Sequence, residues 1–468
     1  MATPRRSESL GDLGSERAAV LADGGAAGLG PGTARAHLAT LAPGRFASYA
    51  YRSPRTRPYT QPRGGFPGFT EQRALTRAFD EAGADFIPLT IDSQTRHNDH
   101  ERAAALLKAG LAEGRDLLNG YPLISHGHLR TRELYEGVDR PVSLRHGTPD
   151  ARLLVETALA AGITEIEGGG LCYTLPYARD YPLDRALAHW QYVDRLCAVT
   201  GPPGLPVHRE SFGPLTATLV PPVITIVVQL CELLLAAEQG VESFAVGFGH
   251  TGSLEQDLAT ARVLRAKAAE LLARFGFEDV RVSLVYHQWM GAFPAEASLA
   301  WQLIAVCSQA AALVGADKVV VKTPDEALGI PSVESNAAAV RAVRYVLDMV
   351  PYGRTLANDA VDEEAALVES EVTTVLDHIL GDTAPTFRQS VYRAVLSGAV
   401  DVPFAPHEQN LGLLVTDRGE GRRIRIREAG RVPLTGEQLR WEHRLLGPRT
   451  ADEGPLWERL LRDIRILA

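Results

Sequence analysis

The feature that most constrains the fold is an alternation of two segment types that begins near residue 57. Short apolar runs rich in β-forming residues alternate with longer amphipathic segments, the pattern of βα units around a parallel sheet. This pattern predicts an α/β fold, a (β/α)8 TIM-type barrel, and nine runs compete for its eight strands. The nine are Tyr59–Arg63, Asp85–Ile91, Tyr121–His126, Val142–His146, Ile163–Glu167, Leu205–Glu210, Ser243–Phe248, Arg281–His287 and Lys318–Lys322.

Helical periodicity between and beyond these runs divides the chain into three parts. Residues 1–50 are predicted to be an N-terminal extension, partly flexible around Gly24–Gly32; residues 51–350 the catalytic barrel; and residues 351–468 a C-terminal α+β region containing the segments Asp401–Pro406 and Arg422–Arg427. The helix predictions are Glu71–Glu81, Asp150–Ala161, Leu254–Phe275, Leu299–Val314, Ser335–Met349 and Glu363–Leu380.

Charge and cysteine usage narrow the class of protein. The formal net charge of −9 argues against nucleic acid or an anionic membrane as a partner, so an anionic substrate would need local cations. The four cysteines are far apart, which indicates reduced thiols in a cytoplasmic protein rather than disulfides or a zinc site. The most apolar stretch, Val223–Ala237, is too short to span a bilayer and contains Gln229 and Glu232, so it predicts a buried helix.

Polar groups recur where the predicted strands end, which is the face that carries the active site in barrels of this kind. Any one of them has an ordinary structural explanation, such as a surface ion pair, but their recurrence favours a functional site. They are Arg63, Thr90, Asp92, Arg96, His126, Arg145, His146, Glu167, Arg209, Glu210, His287, Lys322 and Glu326.

Three of these groups, Arg63, Arg96 and Arg145, predict a pocket for anions, because guanidinium forks bind carboxylates and phosphates through paired hydrogen bonds. Glu167 beside them would complement an ammonium group. The implied ligand is an acidic amino acid, with a phosphorylated sugar as the open alternative. The Gly168–Gly170 run permits close approach of a ligand or makes a plain turn. Tyr173 and Tyr177 either pack a helix or direct hydroxyls into the site.

Seven stretches together resemble one family, the epsilon (large) subunit of glutamate mutase, also called methylaspartate mutase. The resemblance covers about residues 50–435 and is specific because the stretches are long and occur in order. They are TIDSQTR (90–96), SLRHGTPDAR (143–152), EGGGLCYTLPY (167–177), HRESFGPLTATLVPP (208–222), YHQWMGAFP (286–294), KVVVKTPDEALGIPS (318–332) and VDVPFAPHEQN (400–410).

The resemblance implies roles for individual residues. Arg63, Arg96 and Arg145 match a claw around the substrate carboxylates, and Glu167 matches the carboxylate near the substrate ammonium; these four are the catalytic set. The remaining positions that match the substrate pocket are Gly65, His146, Tyr173 and Tyr177, and those that match the coenzyme pocket are Thr90, Asn119, Pro176, Phe212, His287, Met290, Lys322 and Glu326. Departures at Gln94, Cys172, Thr174, Ala217 and Ala292 remove no charged residue, but they leave the substrate amino acid less fixed than the chemistry.

The implied reaction is a radical carbon-skeleton isomerisation of L-glutamate to threo-3-methyl-L-aspartate that depends on adenosylcobalamin. Cobalamin-carrying relatives of this chemistry bind cobalt through a histidine in a D-x-H-x-x-G motif, and none of the thirteen histidines here has an aspartate two residues before it. The chain is therefore expected to bind no metal itself and to work with a separate small cobalamin-binding subunit. Resemblance alone implies a homodimer within a heterotetramer. The G-x-G-x-x-G at Gly247, Gly249 and Gly252 is interpreted as a barrel loop.

Other interpretations remain at this level. The same radical chemistry could act on a related amino acid, or Lys322 could form a Schiff base in a lyase or aldolase. An inactive scaffold is disfavoured because every claw arginine is present. The sequence does not indicate whether the reaction serves breakdown or biosynthesis.

Overall fold

The barrel is formed by eight parallel strands in a computed structural model that describes residues 13–23, 28–354, 358–446 and 456–468. The predicted fold class is confirmed: the strands pair in the order β1-β8-β7-β6-β5-β4-β3-β2, which is the cyclic order of a (β/α)8 barrel. They are β1 Tyr59–Gln61, β2 Ile87–Thr90, β3 Val142–Arg145, β4 Glu165–Glu167, β5 His208–Glu210, β6 Ser243–Gly249, β7 Arg281–His287 and β8 Lys318–Val320.

The seam between β1 and β2 is joined without a ladder of strand pairing. The carbonyl of Thr60 accepts hydrogen bonds from the backbone N–H groups of Asp85 and Phe86, both at 3.1 Å. The Asp85 carboxylate accepts from the Thr60 N–H at 2.9 Å and pairs with Arg57 at 2.8 Å. These contacts make the barrel nearly closed and keep the ends of β1 and β2 side by side.

Tyr121–His126, the third strand candidate, is wrong as a strand. Tyr121 forms a single bridge to Ile91, and helix α7 begins two residues later at Leu123. Pro122 has no N–H to donate to a neighbouring strand, which stops the pairing there. Tyr121 and Leu123 are fully buried, so the run is as apolar as a strand. His126 therefore ends no strand: its Nε2 lies 2.9 Å from the Pro67 carbonyl and its ring stacks on Tyr121.

Helices cover the outside of the barrel and agree with the sequence periodicity. The helix predicted over Leu254–Phe275 has those bounds in the structure, and the other five predicted helices differ by four residues or fewer at each end. In chain order the helices are α1 Leu13–Asp23, α2 Thr33–Leu38, α3 Ala47–Ala50, α4 Phe69–Glu81, α5 Ser93–Arg96, α6 His100–Glu113, α7 Leu123–Glu133, α8 Arg152–Ala160, α9 Thr174–Tyr177, α10 Leu183–Thr200, α11 Pro222–Glu238, α12 Leu254–Phe275, α13 Ala297–Leu313, α14 Val333–Met349, α15 Asp359–Leu380, α16 Phe387–Ser397, α17 Gly436–Leu446 and α18 Leu456–Ile464. Short 3-10 turns occupy Pro43–Arg45, Pro324–Ala327 and Glu420–Arg422.

Helix α11 is buried from Pro222 to Ala237, which confirms the prediction of a buried helix over Val223–Ala237. It is covered because α15 and α16 pack over it from outside, so it has the β-barrel on one side and a second helical layer on the other. Each of the helices that the structure describes is too short or too polar to cross a membrane.

The C-terminal elements share the hydrophobic core of the barrel. Helix α15 packs along α11 and α12, and Gln256 of α12 bonds to the backbone of Ile424. Strands β9 (Val415–Arg418) and β10 (Ile424–Glu428) pair antiparallel, and β10 falls on the predicted segment Arg422–Arg427. The predicted segment Asp401–Pro406 is instead a loop, because the Asp401 carboxylate accepts three backbone N–H groups from 412–414.

The N-terminal extension contacts the barrel in two described stretches. Arg17 of α1 forms two hydrogen bonds to Glu156 of α8, at 2.6 and 2.8 Å, and α2 packs against α8. Of the predicted flexible link Gly24–Gly32, residues 24–27 lie outside the described residues. The boundaries of the three predicted parts of the chain stay predictions.

Candidate active site at the barrel mouth

The strand ends bring charged side chains to one mouth of the barrel. Arg145, Glu167, Glu210 and His287 are the last residues of β3, β4, β5 and β7, and all four side chains are buried. Arg63 follows β1 by two residues and, like Arg96 of α5, is half-buried. The predicted convergence of polar strand ends is therefore what the parallel order of the strands produces.

At the centre of the site, Arg145 lies between two carboxylates. One terminal nitrogen of its guanidinium donates to Glu210 Oε1 at 2.8 Å, and the other pairs with Glu167 Oε1 through a short contact. The Tyr173 hydroxyl donates to Glu167 Oε2. Because buried charges are tolerated only when paired and hydrogen-bonded, this arrangement fixes the orientation of all three charged groups.

The two carboxylates differ in their affinity for a proton. Burial raises the pKa of Glu167 to about 7, in spite of the opposing effect of Arg145. Burial also disfavours ionised Glu210, but the positive charges of Lys318 and Arg145 outweigh it and lower the pKa of Glu210. Glu210 is thus ionised at neutral pH, whereas Glu167 can gain or lose a proton near pH 7.

Arg63 and Arg96 differ from Arg145 in having no carboxylate within ion-pair distance in the part of the chain that the structure describes. The Arg96 Nε donates to the Ile91 carbonyl at 2.7 Å, and Arg63 Nη1 lies 4.0 Å from the Met290 sulfur. Two guanidinium groups without a counter-ion at a half-buried mouth are available to bind an anion.

Short helix α5 positions Arg96 through two side-chain caps. The Asp92 carboxylate accepts from the N–H groups of Gln94 and Thr95, and Asn119 Oδ1 accepts from the Ser93 N–H at 2.8 Å. Asn119 is exposed beside the mouth, so its observed contact is with the helix that carries Arg96.

Aromatic rings form one wall of the site. Tyr173 packs against Tyr177 and Phe212 with ring centroids 5.8 Å apart in each case, and Phe212 packs edge-on against His287 at 5.3 Å. Tyr173 thus both packs and directs its hydroxyl to Glu167, while Tyr177 is 45% exposed at the rim. Pro176, next to it in α9, is half-buried.

The two histidines of the site are held neutral. His146 stacks on Trp190 and its Nδ1 accepts from the Thr148 N–H at 3.1 Å. Burial, with Arg96 as the next cause, lowers the pKa of His146 well below its ordinary value, and burial with Arg145 does the same for His287. Both rings are therefore uncharged hydrogen-bonding groups at neutral pH.

Close backbone packing explains two of the predicted glycine positions. A Cβ on Gly65 would lie 2.2 Å from the Thr90 carbonyl oxygen, so any larger residue would push the β1 loop from β2. In the Gly168–Gly170 run, a Cβ on Gly169 would lie 2.3 Å from Glu232, whose carboxylate accepts from two backbone N–H groups of that loop. The close approach in this run is to the protein itself, and a ligand is not needed to explain it.

A second ion pair lies across the mouth from Glu167. Lys322 Nζ donates to Glu326 Oε2 at 2.7 Å, within the turn that follows β8. Burial, with Arg63 as the next cause, lowers the pKa of Lys322 to about 8. Burial opposes ionisation of Glu326, yet Lys322 and Arg63 lower the pKa of that carboxyl.

Beneath the site lies a polar layer that the sequence interpretation missed. Lys318, fully buried, donates to Gln61 Oε1 at 2.6 Å, to Glu165 Oε2 at 2.8 Å and to Glu210. The signal that could have revealed it is the two-residue spacing of Lys318 from Val320 and Lys322 and of Glu165 from Glu167, because alternate residues of a barrel strand share the inner face.

Glu167, Glu210 and His287 also have ligand atoms within 4.8 Å of one another, a spacing that a metal ion could use. The Arg145 guanidinium contacts both carboxylates, however, so a cation there would meet a like charge. The expectation that the chain itself binds no metal stays a prediction.

Comparison with known proteins assigns this mouth to a family. Residues 45–459 match the family model described as methylaspartate mutase E chain. The chain belongs to this family. It is 40% identical over 87% of its length to the glutamate mutase epsilon subunit of Desulfitobacterium hafniense, covering 84% of that protein. It is 41% identical over 81% of its length to the glutamate mutase epsilon subunit of Treponema denticola and covers 78% of that protein. To the epsilon subunit of Halobacterium salinarum it is 42% identical over 84% of its length, and it covers 82% of that protein.

The resemblance to the glutamate mutase epsilon subunit is thereby confirmed. The protein is an enzyme of the isomerase class, a mutase. Its charged mouth lies within the matched residues, from Arg63 to Glu326.

Proposed function

We propose that this chain is the large catalytic subunit of an adenosylcobalamin-dependent glutamate mutase, which isomerises L-glutamate to threo-3-methyl-L-aspartate. The observation that carries the proposal is that guanidinium groups and a carboxylate, groups of opposite charge, lie at the same barrel mouth. Arg63 and Arg96 lack carboxylate partners among the described residues, while Glu167 beside them offers a carboxylate. An amino acid with two carboxylates and one ammonium group complements this set of charges.

Arg145 fits the third position of the claw even though it is already paired. A guanidinium has five N–H donors, and its contacts with Glu210 and Glu167 leave donors for a substrate carboxylate. Its rigid placement favours binding because little side-chain entropy is lost when a ligand arrives. His146, neutral and buried beside Tyr173, adds an uncharged polar group, and Gly65 lets the loop after β1 pack directly on Thr90.

Glu167 would receive the substrate ammonium. Ionised Glu167 shares its charge between Arg145 and the Tyr173 hydroxyl, and an ammonium group would add a second cation. That addition would favour the ionised form and lower its pKa from about 7. Substrate binding and ionisation of Glu167 would therefore stabilise each other.

The residues of the mouth fit an adenosyl group. The Lys322–Glu326 pair offers a hydrogen-bond donor and an acceptor at a partly exposed position, since 23% of the Glu326 side chain is exposed to solvent. Such a pair can bind the two hydroxyls of a ribose. The residues assigned to the coenzyme are Thr90, Asn119, Pro176, Phe212, His287, Met290, Lys322 and Glu326. When bound, adenosylcobalamin supplies the carbon-centred radical chemistry that a skeleton rearrangement needs.

The chain's own part in the reaction is to orient the substrate and to exclude water. Tyr173, Phe212 and His287 form a continuous packed wall against the buried Arg145–Glu167 pair. Charge-assisted contacts at both ends of the substrate would hold its fragments in place until they recombine. A strong nucleophile is not required by this chemistry.

The proposal includes a separate small subunit that carries the cobalamin and provides the cobalt ligand, because the thirteen histidines here lack the D-x-H-x-x-G context. The assembly would be a heterotetramer built on a homodimer of this chain, acting in the cytoplasm on a small molecule, with neither nucleic acid nor membrane as a partner.

The test is an assay of purified chain with adenosylcobalamin and L-glutamate, with and without the small subunit, followed by the same assay on related amino acids. Formation of 3-methylaspartate only in the complete mixture is expected. Full turnover by the chain alone would contradict the two-component part, and preference for another amino acid would assign the same radical chemistry to that substrate.

One observation favours a second candidate, a Schiff-base lyase or aldolase: the lowered pKa of Lys322, about 8, makes an amine more available for attack on a carbonyl. The ion pair with Glu326 opposes this by stabilising the ammonium form. Borohydride trapping of a substrate adduct on Lys322 would establish the second candidate in place of the first.

A further inference from the structure

The loop that follows β7 contacts α18, the last helix of the described chain. The Ala292 N–H donates to the carbonyl of Ile464, the final residue of α18, at 2.8 Å. Gly291 lies so close that a Cβ on it would be 2.8 Å from the same oxygen and 2.5 Å from the Trp289 ring. Ile466 and Leu467 pack half-buried against the barrel core. The contact is therefore tight and involves backbone on both sides.

An ion pair next to this contact ties α18 to a second mouth loop. The carboxylate of Asp463 pairs with Arg418 of β9, and both side chains are about nine-tenths buried. Arg418 also donates to the carbonyl of Thr251, in the loop after β6, at 2.6 Å, and its guanidinium lies 5.9 Å from the Trp289 ring centroid. Asp463 thus connects the loops after β6 and β7 through one buried arginine.

Met290 is the residue that these contacts position. It lies between Trp289, whose indole N–H donates to the Ala292 carbonyl at 3.0 Å, and Gly291. Its sulfur faces Arg63 at 4.0 Å across the mouth. Because Trp289, Gly291 and Ala292 are held by these contacts, the backbone of Met290 is held in the position from which its side chain reaches Arg63.

We infer that Asp463 and Ile464 are positioning residues of the active site, forming a brace that fixes the β7 loop and holds Met290 at the barrel mouth. The match to the family model ends at residue 459, so Asp463 and Ile464 lie outside the matched range, whereas Arg418 and Ala292, which they contact, lie inside it. Its effect on coenzyme use rests on the proposed function, in which Met290 contacts the coenzyme; its effect on the loop does not.

The brace is tested by hydrogen exchange measured by mass spectrometry on the full-length protein without added ligand. Asp463→Asn and deletion of residues 463–468 are expected to speed exchange in a peptide spanning 288–293, because the Ala292 amide loses its acceptor or the support of that acceptor. Glu458→Gln, an exposed position on the same helix, is the matched control and should leave the peptide protected. Gly291→Ala gives an independent disturbance, since its methyl group must displace the Ile464 carbonyl.

The same variants are then assayed in the reconstituted complex. Loss of one buried hydrogen bond or its support should raise the apparent KM for adenosylcobalamin about three- to tenfold, with a smaller change in kcat. Asp463→Glu, which keeps the charge, should recover part of the loss. Unchanged exchange at 288–293 in both the deletion and Gly291→Ala would overturn the brace, and so would faster exchange spread evenly over the whole chain. If the complete wild-type mixture has no mutase activity, the proposed function fails while the exchange result still decides the brace.

Discussion

The ammonium group of Lys318 rests on the carboxylate of Glu210, and the other oxygen of that carboxylate holds Arg145 at 2.8 Å. A fully buried cation at the barrel floor therefore fixes the anion that positions a guanidinium at the mouth. The barrel floor is therefore part of the active-site architecture, because the orientation of Arg145 depends on the charge balance between Glu210 and Lys318.

This relation predicts that Lys318→Met is strongly destabilising. Removing the cation leaves Glu165 and Glu210 buried beside each other without their main counter-charge, and breaking a buried pair in this way costs about 3–5 kcal/mol. Urea unfolding monitored by circular dichroism measures this loss in the free energy of unfolding. Lys108→Met, at an exposed helix position, is the control and should change the free energy of unfolding by less than about 0.5 kcal/mol. Equal stability of the two variants would show that the buried network is neutral.

The double variant Lys318→Met/Glu165→Gln sharpens the test. Neutralising one carboxylate removes part of the repulsion, so the double variant should be more stable than Lys318→Met alone. A further loss of stability would mean that packing around Lys318, rather than its charge, stabilises the floor.

Arg96→Ala is predicted to weaken substrate binding while the fold persists. Arg96 has no carboxylate partner among the described residues to leave unpaired, and its one backbone contact is with Ile91. A charge-assisted hydrogen bond contributes roughly 1.5–3 kcal/mol, so the KM for L-glutamate should rise about tenfold or more. Arg102→Ala, an exposed arginine on α6, should leave KM unchanged. An unaltered KM in Arg96→Ala, and likewise in Arg63→Ala, would remove these residues from the claw.

Much of this site followed from the sequence because charge at strand ends is a local pattern. The two neighbours Arg209 and Glu210 show where that pattern stops being informative. Glu210 points into the barrel to Arg145 and Lys318, whereas Arg209 points outward, where it bonds Asp194 at 2.7 Å and the carbonyls of the β4 end. Their opposite directions follow from the two-residue period of the strand, but the register that decides which faces inward depends on neighbouring strands.

The barrel itself was predictable because helical and strand periodicities are properties of consecutive residues. Burial explains both the wrong assignment of Tyr121–His126 and the unforeseen role of Lys318. A buried helix start is as apolar as a strand, and Lys318 stands next to valines in a sequence that otherwise predicts an apolar strand. The contact of Ile464 with Ala292 joins residues far apart in the chain, and the local sequence carries no signal for such a pairing.

The pH dependence of catalysis should report Glu167. Its pKa is raised to about 7, and the ionised form is the one that binds an ammonium group, so kcat/KM for L-glutamate should rise with pH through about 7. For folding the sign is opposite: a carboxyl whose folded pKa is raised costs stability as pH increases from its unfolded value towards 7, so this group contributes a decline over that window. Glu167→Gln should abolish the rise in kcat/KM and reduce the decline in Tm. A wild-type profile that is flat between about pH 5.5 and 8 would contradict the ammonium role.

Backbone strain in the β5 loop gives the last prediction. Ala217 has a φ of +58°, a left-handed conformation that L-residues with a side chain adopt at a cost, and Leu215 and Leu219 on either side have positive φ values too. Ala217→Gly should remove that cost, and although glycine loses more entropy on folding, the net gain should be about 0.5–1 kcal/mol. Ala266→Gly, at an exposed position inside helix α12, has no strain to relieve and should instead lose about 0.5–1 kcal/mol. Urea unfolding of the two variants decides the matter, because the same substitution type then changes stability with opposite signs; if both variants lose stability, the left-handed conformation of Ala217 is not strained.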